Sequence, residues 1–80
     1  MPRVTVLYFA QLRELRGADD ESLVTAAATT GALWQELSTR HRLAFPTANV
    51  AVAVNDDVVG WGAPLAEGDT VVFLPPVSGG

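Results

Sequence analysis

The sequence predicts an α+β fold, a mixed sheet with one main helix packed on one face, and three features predict it. Short runs near both ends of the chain, Arg3 to Phe9 and Thr70 to Leu74, are dense in β-branched and aromatic residues, as strands require. Between them, Leu33, Trp34 and Leu37 recur at spacings of three and four, the period of an amphipathic helix. Turn-forming clusters then punctuate the order strand, short helix, strand, long helix, strand, strand, strand, with no repeat, linker or low-complexity segment.

In the first strand Val4, Val6 and Tyr8 fall on one side and Thr5, Leu7 and Phe9 on the other. Ala10 to Arg16 switches to good helix formers, with Leu12 and Leu15 on one face and Gly17 as the stop. After the acidic turn Ala18-Asp19-Asp20, Glu21 to Thr25 is a weaker strand, returning beside the first as a hairpin. Thr29 or Thr30 caps the main helix, which turns Gln35, Glu36 and Ser38 outward and carries Arg40 and Arg42 near its C-terminal end. Leu43-Ala44-Phe45-Pro46 closes it. Val50, Val52 and Val54 alternate with Ala51, Ala53 and Asn55 as a strand, and Asn55-Asp56-Asp57 turns into a short Val58-Val59 strand broken at Gly60. Glu67-Gly68-Asp69 feeds the last strand, Thr70 to Leu74. Two hairpins joined by one helix fit a ubiquitin-like β-grasp over residues 1–74, with the first and last strands parallel at the centre and residues 75–80 as an extended tail.

Eighty residues allow one small domain, burying about 60% of its unfolded surface. Without cysteine there is no disulfide, thiolate metal site or catalytic thiol. No signal-like or membrane-spanning run is present, so a soluble cytoplasmic protein is expected. The cations are all arginine and the net charge is -4, which disfavours nucleic acid and suits a basic protein partner. Lysine is absent.

Side-chain chemistry is sparse. His41, the single histidine, reads as a solvated or cap-like residue, and no metal is expected. Asp19-Asp20 and Asp56-Asp57 read as solvated turns, Gly60-Trp61-Gly62 as a loop, Trp34 as core and Trp61 as a loop anchor. If Val4, Val6 and Tyr8 face the helix, Leu7 and Phe9 lie on the open face, and the last strand is apolar on both sides. An open face should be polar, so these side chains either cover the sheet edge or await a protein contact.

The reactive group that remains is at the end, Pro75-Pro76-Val77-Ser78-Gly79-Gly80. The prolines stop the strand and stiffen the exit, and Gly79-Gly80, without side chains, can thread a narrow slot. A carboxylate is a poor electrophile, so such an end would need activation, for example by adenylation. An inert terminus is the other reading.

Tyr8-Phe9-Ala10-Gln11-Leu12-Arg13-Glu14 and the run from Leu65 to Gly80 with its Pro-Pro-Val-Ser-Gly-Gly end closely resemble the small subunits of molybdopterin synthase, the MoaD type of ubiquitin-like sulfur carriers. The resemblance implies that an E1-like adenylating enzyme uses ATP to activate Gly80, which becomes a thiocarboxylate (1-thioglycine) through a glycyl adenylate. Gly80 and Gly79 would then enter the large synthase subunit, in a heterotetramer of two small and two large subunits. There sulfur passes to cyclic pyranopterin monophosphate in molybdenum cofactor biosynthesis, and the small subunit itself binds no cofactor. The family's apolar docking patch falls on Phe9, Val58 and Leu74, with Pro75, Pro76, Val77 and Ser78 leading into the partner. Leu74 stands where phenylalanine is frequent, and keeps the patch apolar. Related carriers for thiamin thiazole or tungsten cofactor synthesis share the diglycine, and a protein-conjugating modifier is the alternative from another class.

Overall fold

The computed structural model describes residues 1–43 and 47–75. Strands β1 (Arg3–Tyr8), β2 (Asp20–Val24), β3 (Ala51–Val54), β4 (Asp57–Val59) and β5 (Thr70–Leu74) form one mixed sheet in the order β2-β1-β5-β3-β4. Helices α1 (Ala10–Arg16) and α2 (Thr30–His41) complete the ubiquitin-like β-grasp. As expected, β5 lies parallel to β1, with Thr5 opposite Thr70 and Tyr8 opposite Phe73. On its other side it pairs antiparallel with β3, Ala51 opposite Leu74.

Alternation in β5 fixes this register. Val71 and Phe73 are wholly buried under α2, while Val72 and Leu74 are partly exposed on the opposite face. A slip of one residue would exchange the two pairs. Val4, Val6 and Tyr8 are buried beside them, and Leu33, Trp34 and Leu37 come down from α2. The rings of Trp34 and Phe73 have centroids 4.9 Å apart, and Trp61 stacks on Phe73 at 6.2 Å, so the loop after β4 closes the core. That loop is tied to the start of α2, where Gly31 N–H donates to the Trp61 carbonyl at 2.8 Å and Thr30 Oγ1 to that of Gly60 at 2.7 Å.

Local signals act largely as read. The Thr29 side chain accepts from Ala32 N–H, capping α2, and Gly17 ends α1 in the left-handed region at φ 79. Asn55 and Asp56, at φ 50 and 73, make the left-handed pair of a tight hairpin turn. The Asn55 side chain secures it, donating to Asp69 and accepting from Thr70 N–H, both at 3.0 Å.

Three expectations are corrected. Phe9 is not the last residue of β1 but the N-cap of α1, its carbonyl accepting from Leu12 N–H. Leu15 does not share the buried face of Leu12 and is 49% exposed. Positions three apart differ by about 60° around a helix, and a helix this short meets the sheet along a narrower line. Ser38 does not present its hydroxyl to solvent: Oγ is buried without a hydrogen-bond partner among the described residues. The segment Ala44-Phe45-Pro46, read as closing the main helix, lies outside the described residues.

Candidate functional site

Pairing register orders the open face of the sheet into rows. Leu7 stands opposite Asp20 on one side and Val72 on the other, Val72 opposite Ala53, and Ala53 opposite Val58. Leu7, Val72, Ala53 and Val58 thus form one apolar row across four strands. Nearer the end of β5 come Leu74 and its partner Ala51. Phe9, still extended at φ -125 and ψ 153, continues the alternation of β1 onto this face at the level of Leu74. Towards the other end the face turns polar: Thr5 lies between Ser22 and Thr70, and the Thr5 and Ser22 hydroxyls are 3.3 Å apart.

The structure therefore places Phe9, Leu74 and Pro75 at the end of the sheet from which the chain leaves, with Val58 one row back on edge strand β4. Val58 is 75% exposed and Phe9 46%, and Leu74 and Pro75 are half-buried. Val58 lies two strands from β5, about 10 Å away. Leu74 and Pro75 also line a shallow depression with Ala48, Asn49, Val50 and Ala51. Pro76, Val77, Ser78, Gly79 and Gly80 lie outside the described residues. An exposed apolar end of this kind can bury itself against another protein, and among the described residues no nucleophile or general base stands on it.

The titratable groups gather instead on the helix-facing side. Glu21 Oε1 receives the Tyr8 hydroxyl at 2.7 Å and Arg16 Nε at 3.3 Å, and lies 2.8 Å from His41 Nε2. Burial alone would raise the Glu21 carboxyl, but the bonds from Tyr8, Arg16 and His41 outweigh it and hold it below the usual carboxylate range. Burial, reinforced by Glu21, pushes the Tyr8 hydroxyl well above its ordinary value. His41 is thus not a solvated residue: its side chain is only 16% exposed and faces a carboxylate. Sequence reading missed this because the two residues are 20 positions apart and meet only once β2 packs beside the end of α2. The cluster joins α1, β1, β2 and α2, and three donors converging on one oxygen make a clamp.

Asp19 lies 3.6 Å from Arg13 in an exposed pair. Among the described residues no group of three or more His, Cys, Asp and Glu side chains could hold a metal ion. Nor is any described helix long and apolar enough to cross a membrane.

Fold and site together define a ubiquitin-like β-grasp domain with an apolar sheet end at the root of its C-terminal segment. The ThiS family model matches residues 6–80, and the chain belongs to this family, among its molybdopterin synthase sulfur carrier subunits. It is 41% identical over 80 residues to the molybdopterin synthase sulfur carrier subunit of Escherichia coli, covering 96% of this chain and 99% of that one. SAMP1 from Haloferax volcanii superposes with a TM-score of 0.80 at 27% identity, covering 98% and 99% of the two chains. A chain from the protein-protein complex of subunits 1 and 2 of the molybdopterin-converting factor of Helicobacter pylori superposes at 0.70 with 26% identity, covering 98% and 99%.

Proposed function

We propose that this chain is the sulfur carrier and small subunit of a molybdopterin synthase, acting through the carboxyl group of Gly80. The observation that carries the reading is the position of β5. It is the central strand, held on both sides, and it runs out at Leu74, beside Phe9 and Ala51, at the apolar end of the open face. The sequence that follows is Pro75-Pro76-Val77-Ser78-Gly79-Gly80. The likeness to the Escherichia coli subunit over nearly its full length supports the same assignment.

The chemistry follows from the carboxylate. An E1-like enzyme joins the Gly80 carboxylate to the AMP portion of ATP, releasing pyrophosphate. A sulfur nucleophile then displaces AMP, leaving a thiocarboxylate. That sulfur forms a bond to a carbon of cyclic pyranopterin monophosphate as a carbon–oxygen bond at the same carbon breaks, its oxygen leaving as water or phosphate. A second water cleaves the acyl-sulfur bond, returning Gly80 as a carboxylate and leaving the sulfur on the pterin. ATP is consumed by the activating enzyme, and this chain holds no cofactor of its own. Gly79 and Gly80 enter the large subunit because they bring no side chains. Phe9, Val58, Leu74 and Pro75, with Pro76, Val77 and Ser78, form the docking face. The expected assembly holds two small and two large subunits.

Intact mass of the protein co-expressed with its activating enzyme tests the reading: one oxygen replaced by sulfur adds about 16 Da, mapping to Gly80. An unmodified mass accompanied by amide-linked adducts would instead assign the chain to protein conjugation.

A further inference from the structure

The apolar row on the open face has a charge built into one end of it. Asp20 is the cross-strand partner of Leu7, and side chains directly opposite in an antiparallel pair stand about 4.5–5.5 Å apart at Cβ. A surface that covers Leu7 and Val72 must therefore also come down over the Asp20 carboxylate or against it. Nothing among the described residues prepares that carboxylate for losing water. Its neighbours are engaged, Asp19 by Arg13 and Glu21 by Tyr8, Arg16 and His41. Asp20 is exposed and has no ion pair or hydrogen bond from its side chain among the described residues.

We propose that Asp20 is a specificity-determining charge of this docking face, and that the large synthase subunit presents an arginine or lysine against it. The inference rests on the docking reading given above and adds to it the chemistry of the partner's rim. Covering an unpaired carboxylate is unfavourable, so a partner with an apolar centre and no cation at this place is rejected. One with a cation is accepted, oriented by the charge at one end of the row, and drawn in faster because opposite charges steer the encounter. The net charge of -4 acts in the same direction at longer range.

Association kinetics with the large subunit, measured over a range of salt concentrations, test this on D20K, D20N and D20E, with V58D as the reference for the face itself. D20K is expected to associate at least about tenfold more slowly than wild type at low salt, with a weaker salt dependence. D20N should lie between them and D20E should match wild type. All the Asp20 variants should melt near the wild-type temperature, and D20N reads the same effect if D20K folds poorly. If V58D weakens binding but D20K and D20N associate like wild type, the docking face stands, and Asp20 belongs to the protection of edge strand β2 against unwanted pairing. If V58D also binds like wild type, the docking reading fails and takes this proposal with it.

Discussion

His41 Nε2, on the last turn of α2, lies 2.8 Å from Glu21 Oε1 in β2, closing a contact between the main helix and the sheet edge. Glu21 is the shared acceptor of the cluster, and its carboxyl is held below the ordinary range. A carboxyl lowered on folding adds stability above its unfolded value of about 4.3 and loses it as pH falls through the folded value. Wild-type melting temperature should therefore drop on acidification through that window, and Glu21→Gln should show a shallower drop. At neutral pH Glu21→Ala is expected to cost about 1–3 kcal/mol, since it strands the Tyr8 hydroxyl. Thermal melts at several pH values check both.

Gly31 owes its identity to the loop above it. A Cβ built there would come within 2.8 Å of the Trp61 carbonyl oxygen, the same atom that accepts the Gly31 N–H. Gly31→Ala should lift the loop from the core at a cost of about 1–3 kcal/mol. Tryptophan fluorescence, together with melting temperature, would register the displacement of Trp61 from Phe73.

Phe73 and Leu74 are neighbours in sequence with opposite duties. Phe73 is wholly buried between Trp34, Trp61 and Tyr8, so Phe73→Ala should destabilise the fold by about 3–5 kcal/mol. Leu74→Asp should leave most of the melting temperature intact yet weaken large-subunit binding by about 2 kcal/mol or more. Calorimetric titration beside thermal melts separates the two effects, and an unchanged affinity for Leu74→Asp would remove Leu74 from the docking face.

Removal of Gly80 should abolish sulfur transfer while the large subunit still binds. Gly79→Val should block activation with the melting temperature unchanged. Thiocarboxylate formation followed by mass, alongside a binding assay, checks the pair.

The parts of this fold legible in sequence are those set by neighbours along the chain. Gly17 ends α1, Thr29 opens α2 and Asn55-Asp56 turns the β3–β4 hairpin, each by local backbone chemistry. β5 was readable to the residue because its apolar run is bounded by Asp69 and Pro75. What stayed hidden depended on register. That Glu21 faces His41, or that Asp20 abuts Leu7, follows only when β2 is placed against β1. Of the site, Phe9, Val58 and Leu74 came from alternation and family resemblance. Their placement on one face of the sheet, Phe9 and Leu74 at the end of β5 and Val58 two strands away, is a property of the strand order and register.

A central strand gripped by β1 and β3, unable to slip without turning Phe73 outward, fixes the point at Leu74 from which the rest of the chain starts. Fully extended, residues 75–80 span at most about 20 Å, and no part of that reach can be borrowed from the sheet. On the proposed function a partner's cavity would match that reach in depth, and inserting or deleting a residue before Gly79 should shift the carbonyl of Gly80 by about 3.5 Å, a change of gauge that the folded body cannot absorb.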